Sequence, residues 1–283
     1  MLTVGSTYEL EVIKHVDFGV YLDAENLGEV LLPKRFVHED TSVGDMVRVF
    51  LHNDSEDRLI ATTQRPRIQV GQFAYLKVLE TTRFGAFLDW GLDKHLLVPF
   101  AEQHQPMKEG KSYLVYAYTD KRDGRIVASS KIDKFIDDDT PYRFKPRQAV
   151  SLIIANSTEL GFKAIINHTH WGVLYKNDVF QRLSFGQSVK GFIQKIRPDG
   201  RIDLTLNGGH KSRDKNATTV IDYLNKHDGY APLHDKSDPN DISDALGISK
   251  AAFKKAIGSL YKQRIITIEN DGIRIVNSST SPE

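Results

Sequence analysis

Cysteine is absent from all 283 residues. That excludes disulfides and thiolate zinc sites. No apolar run approaches the roughly 20 residues that a membrane-spanning helix requires. The first ten residues also lack a basic start followed by a long apolar stretch, so no secretion signal is expected. Net charge is nearly absent too, since 38 Lys and Arg face 37 Asp and Glu. A chain with 40% hydrophobic and 27% charged residues nonetheless has the composition of a folded domain protein. The expectation is a cytoplasmic protein with no membrane partner.

The near-neutral total hides a gradient. Residues 1–66 carry 6 basic and 12 acidic side chains, 67–135 carry 11 and 8, 136–207 carry 10 and 7, and 208–283 carry 11 and 10. A polyanion should therefore prefer the later segments. Glu25, Glu29, Glu39 and Asp40 in the first would repel phosphate, which suits it to scaffolding.

What the chain does contain is a repeat. Phe84-Gly85-Ala86-Phe87-Leu88-Asp89 repeats Phe18-Gly19-Val20-Tyr21-Leu22-Asp23, and a weaker copy stands at Leu160-Gly161-Phe162. Gly19 and Gly85 are 66 residues apart, as are Pro33 and Pro99. Around each copy lie five strand-like runs. In the first, Tyr8, Leu10 and Val12 alternate with Glu9 and Glu11, the period of a half-buried strand. Glycine-marked bends and a helical-turn-length stretch between the third and fourth runs point to five-stranded barrels of the OB type. The fold class expected is mainly β with a small α+β tail: OB-type barrels over 1–65, 67–133 and 145–208, then a further domain over 215–277. A barrel of about 65 residues buries a small core, so adjoining modules should share surface. Asp137 to Pro141 reads as a longer polar connection between the second and third.

The tail changes period. Thr218 to Asn225 reads as a helix, and Ser237-Asp238-Pro239 opens a second that Gly247 stops. Ser249 caps a third, whose Phe253, Ala256, Ile257 and Leu260 form one apolar stripe. Two short strand runs flank Glu269-Asn270-Asp271-Gly272, a hairpin turn. This order is a winged-helix pattern. From Ser278 the chain reads as a frayed end.

The barrel modules resemble the S1 RNA-binding domain, and the whole chain resembles the conserved virulence factor B family. The stretch Ser249 to Lys262 carries the most specific signature. The resemblance implies three S1-type barrels plus a winged helix, a bacterial post-transcriptional regulator, and an RNA surface built from two aromatics, a His, an Asp and an Arg. Carried over, that gives Phe84, Phe87, Asp120 and Arg125 in module two, and Phe18, Tyr21, Asp54 and Arg58 in module one. Pro99 and Pro33 stand where the His would be. Module three has Leu160 and Lys163 at the aromatic positions, Tyr175 at the His position, and keeps Arg201.

In an ideal strand Phe84 and Phe87 would face opposite ways. A bulge at Gly85-Ala86 would put both rings on one face, able to stack on successive bases. The competing reading makes one Phe barrel core. Lys121, Arg122 and Lys131 extend the basic patch, and Arg125 and Arg58 are either base or phosphate grips or solvated rim charges. Lys250, Lys254 and Lys255 lie off the apolar stripe of the third tail helix, which offers no Arg, Asn or Gln before Gln263 for base-specific pairing. A protein contact or extra RNA grip suits that helix better than sequence-specific DNA reading. Enzyme signals are poor. Glu109-Gly110-Lys111-Ser112 ends like a phosphate loop, but Gln105 takes the place of its first Gly. His168-Thr169-His170 lacks a third ligand and reads as a polar turn. The chain is expected to be a non-enzymatic binder of single-stranded RNA with low sequence specificity and no cofactor. The rival readings are a DNA-binding transcription regulator acting through the winged helix and a protein-interaction scaffold with decayed RNA sites.

Overall fold

The computed structural model describes residues 1–137, 144–176, 179, 183–206, 210–262 and 264–276, with backbone alone over 210–214. Most of the polar connection, Gln263 and the stretch from Ser278 lie outside them. The chain divides into two compact units, Met1–Ile136 and Asp137–Glu283.

The first unit holds two closed barrels. Barrel one is built from β1 (Thr7–Val16), β2 (Gly19–Asp23), β3 (Glu29–Pro33), β4 (Met46–Asn53) and β5 (Leu59–Thr62). Strand alternation sorts the side chains as the sequence requires, with Leu10 and Val12 buried and Glu9 and Glu11 exposed. Neighbours run β1-β2-β3-β5-β4, and β4 pairs back onto β1. The closing pair β3 and β5 is parallel, through Leu31 and Ile60. Barrel two repeats this with β6 (Phe73–Thr82), β7 (Gly85–Leu88), β8 (Leu96–Pro99), β9 (Ser112–Thr119) and β10 (Ile126–Ser129).

Each barrel has its own buried core, and barrel one adds one side chain to that of barrel two. Phe50 of β4 is buried in the cluster around Leu88, Leu96 and Val98 of barrel two. Its ring meets the Trp90 indole edge to face at 5.7 Å. The Val70 amide donates to the Gly5 carbonyl at 2.9 Å. A salt bridge of 2.7 Å joins Arg35 to Asp93.

The second unit opens with barrel three: β11 (Ala149–Ser157), β12 (Gly161–Ile166), β13 (His170–Tyr175), β14 (Ser188–Ile196) and β15 (Ile202–Thr205). One glycine explains why the repeat survives in this looser copy. At Gly161, with φ 159°, a Cβ would sit 2.0 Å from the Leu174 carbonyl oxygen, and at Gly19 and Gly85 it would meet Leu32 and Val98 oxygens at 2.2 Å. Backbone approaches backbone at this corner of every barrel, so only glycine fits, whatever surrounds it.

The tail comprises α1 (His210–Lys226), β16 (Tyr230–Ala231), α2 (Pro239–Leu246), α3 (Lys250–Lys262), β17 (Ile266–Ile268) and β18 (Ile273–Ile275). Asp238 caps α2 by accepting from the Asn240 amide at 2.8 Å, and Gly247 ends it at φ 64°. Ser249 caps α3 by accepting from the Ala252 amide at 3.0 Å. Phe253, Ala256, Ile257 and Leu260 are buried as one stripe. Helix α1 begins well before the expected Thr218. Strand β16 is an addition, too short for periodicity to show, and pairs with β18 to make a three-stranded wing.

Candidate nucleic-acid interface

Phe84 and Phe87 do come together, by a route other than the expected one. No bulge occurs at Gly85-Ala86. The pairing of β6 with β7 slips instead between Val78 and Glu80, on the partner strand. Phe84 precedes the strand, and Gly85, at φ 149°, turns the chain so that both rings line one cleft. Phe84 is 60% exposed. A core role for it is thereby excluded, and Phe87 is half-buried on the same outer face. Phe18 and Tyr21 repeat the arrangement in barrel one, 6.5 Å apart and edge to face, with Lys14 over the Tyr21 ring at 4.6 Å.

The cleft beside Phe84 measures about 260 Å³. Phe84, Phe87, Trp90 and Leu97 of barrel two line it together with Lys94 and Arg125, and His52 of barrel one contributes to it. The sequence placed no His on this surface. Two arrive by other routes, His52 from β4 and His95 from the loop before β8. His52 is 6% exposed and stacked on Phe50. Burial holds its imidazole below the ordinary pKa, against the opposing hydrogen bond to the Asn53 carbonyl, so the ring is neutral at pH 7.

The predicted Asp and Arg residues are less free than the carry-over implies. Asp54 closes the β4–β5 turn, accepting from the Glu56 and Arg58 amides at 2.9 and 3.0 Å and from the Arg58 guanidinium. Burial pushes its carboxyl up, but the Arg58 side chain and these amides together hold it below the usual range. Arg58 is also paired with Glu56 at 2.9 Å. Asp120 plays the same turn role in barrel two, accepting from the Arg122 amide at 2.9 Å. Arg125 reaches across to barrel one and pairs with Asp57 at 2.5 Å. Lys94 joins it, bonding the Asp54 carbonyl at 2.6 Å and Asp57 at 3.1 Å. Hydrogen bonding by Lys94 leads the causes that hold the Asp57 carboxyl below its usual range. Lys121, Arg122 and Lys131 are exposed but do not line this cleft.

Barrel three departs from expectation in the other direction. Leu160, just before β12, and Lys163 on it do occupy the aromatic positions, but the aromatics that line the groove stand on β13. Trp171 and Tyr175 lie on one face of that strand, and with Lys163 and Arg201 they line a groove of about 580 Å³. The Lys163 ammonium sits 3.8 Å from the Trp171 ring centroid. Arg197 clamps Tyr175 and Asp203, the latter at 3.0 Å. Trp171 could have been found by asking which aromatic shares a strand face with Tyr175, four residues on. His168 occupies a turn with φ 61°, and His170 is buried against Phe144 at 5.0 Å. Among the described residues no group of three His, Asp or Glu could hold a metal. In the tail Lys254 and Lys255 are exposed and Lys250 half-buried, and Lys254 lies 3.8 Å from Asp235. No described helix is long and apolar enough to cross a membrane.

Family models match the first two barrels and the tail domain. Residues 4–64 and 70–131 match the S1 domain, and 218–275 match the CvfB-like winged helix domain. Conserved virulence factor B of Staphylococcus aureus strain N315 is 29% identical over 300 residues, covering 98% of this chain and 96% of that protein. The Bacillus subtilis protein YitL is 28% identical over 284 residues, covering 94% and 91%. Among solved structures, a multidomain protein with nucleic acid binding domains from Streptococcus pneumoniae TIGR4 aligns over 96% of this chain and 98% of its own. Its identity is 23% and its TM-score 0.40. These domain types are nucleic-acid binders rather than a known enzyme family.

Proposed function

The chain is an S1-domain protein with a CvfB-like winged helix domain, and on that premise we propose that it is a cytoplasmic protein binding single-stranded or unpaired RNA with little sequence demand, in the role of a bacterial post-transcriptional regulator. One observation carries the reading most of the way. Phe84, at 60% exposure, shares an outer cleft with Phe87, and Lys94 and Arg125 line it with them. An exposed aromatic pair costs free energy in water and has a use when bases stack on it. Cations beside it suit the phosphates that accompany each base. Trp171 with Lys163, and Tyr175 with Arg201, offer the same combination in barrel three. Barrel one keeps its aromatics but belongs to the acidic segment, with 12 acidic against 6 basic residues over 1–66, so we assign it mainly to the wall of the shared cleft.

Gel-shift competition between single-stranded RNA and duplex DNA tests this. Preference for the RNA, with log-log salt slope near −0.7 for each phosphate contact, is expected. Preference for a specific duplex would assign the activity to the winged helix instead. A slope near zero would assign a protein partner.

A further inference from the structure

The cleft at Phe84 takes its lining from two barrels, His52 and Asn53 from barrel one and the rest from barrel two. Its 260 Å³ lies below the roughly 300–1,000 Å³ of sites for drug-sized ligands. That space suits one planar ring system without its sugar. Phe84, Phe87 and Trp90 supply aromatic surface, and His52, neutral through burial, supplies an uncharged flank from barrel one. The two cations lining the cleft are already engaged. Asp57 of barrel one pairs with both, Lys94 is held as well by the Asp54 carbonyl at 2.6 Å and Arg125 by Asp123 at 3.5 Å, and the Asp57, Lys94 and Arg125 side chains are between 36% and 53% exposed. Exposed pairs of this kind contribute little net stability, so a phosphate can take their place.

We infer that the cleft between the first two barrels receives a single unpaired nucleobase, and that Asp57 is a latch from which the adjoining phosphate draws Arg125 and Lys94. The occupant follows from the pairing of stacking walls with two lining cations, which match the two halves of a nucleotide. The inference rests on the reading of barrel two as a nucleic-acid platform. It adds that one base is shielded from solvent and that barrel one opposes its entry.

The test uses the full chain and a single-stranded RNA oligonucleotide carrying 2-aminopurine, with binding followed by anisotropy and exposure by acrylamide quenching. At saturation a fraction of the fluorescence should be protected from acrylamide. Leu97→Trp, which fills the cleft from a half-buried position, should abolish the protection and weaken binding. Asp57→Asn should tighten binding by about twofold to fivefold, the effect of removing one exposed pair. Glu56→Gln, the same charge change at a residue paired with Arg58 instead, should not. Binding without protected fluorescence, or equal effects of Asp57→Asn and Glu56→Gln, would overturn the cleft and latch while leaving the platform standing. Absence of binding would overturn both.

Discussion

Replacing Phe84 and Phe87 together with Ala is the perturbation whose size can be worked out most closely. Phe84 is 60% exposed, so its removal takes little from the core. Phe87 is half-buried on the outer face, and the residues behind the strand, Ala86 and Leu88, are untouched and fully buried. Stability should therefore fall by about 1 kcal/mol, well below the 3–5 kcal/mol of a core Phe→Ala change. Binding should suffer more. Stacking contributes about 1–3 kcal/mol per base, so two rings account for at least about 2 kcal/mol and the affinity should drop roughly 30-fold or more. Fluorescence anisotropy with a labelled single-stranded RNA, alongside a urea titration to confirm the fold, measures both quantities. A folded double variant with unchanged affinity would refute the platform.

Further outcomes follow from the same geometry. Gly85→Ala places a Cβ 2.2 Å from the Val98 oxygen at φ 149°, so it should lower stability by about 2 kcal/mol or more in a thermal melt; a neutral result would contradict the close-approach account of the repeat. Trp171→Ala should weaken RNA binding by about 1 kcal/mol or more, roughly fivefold, through barrel three, and an unchanged affinity would confine binding to the other domains. His52 titrates below its ordinary value because it is buried, so it adds no pH dependence above about pH 6.5, and stability falls as pH drops below that toward its folded pKa. The urea midpoint should decline between about pH 7.5 and 5.5 in the natural chain and less in His52→Gln; an equal decline would assign the effect elsewhere.

The fold was legible because its signals are periodic and local. Leu10 and Val12 alternate with acids, Phe253 to Leu260 form a stripe, and Asp238, Gly247 and Ser249 mark helix ends by their own hydrogen bonds and dihedrals. The binding surface was legible only where it is local as well. Phe84 and Phe87 could be paired from their spacing, although the device that pairs them was misplaced, because a register slip on β6 leaves no mark in β7. What lay beyond reach depends on two barrels meeting. His52 comes to the cleft from β4 of barrel one, Trp90 and Lys94 from the β7–β8 loop of barrel two, and Asp57 takes Arg125 from 68 residues away. Trp171 escaped for another reason: the aromatics that line the groove stand on an adjacent strand, where position-by-position carry-over does not look.

The central claim, that barrel two holds RNA on its Phe84 face, is tested most directly by ultraviolet crosslinking of a single-stranded RNA to the intact chain, followed by mapping of the modified peptides. Crosslinks at Phe84, Phe87 or Trp90, with others on Trp171 and Tyr175, are expected. Crosslinks confined to residues 210–276, with none in the first 136, would contradict it.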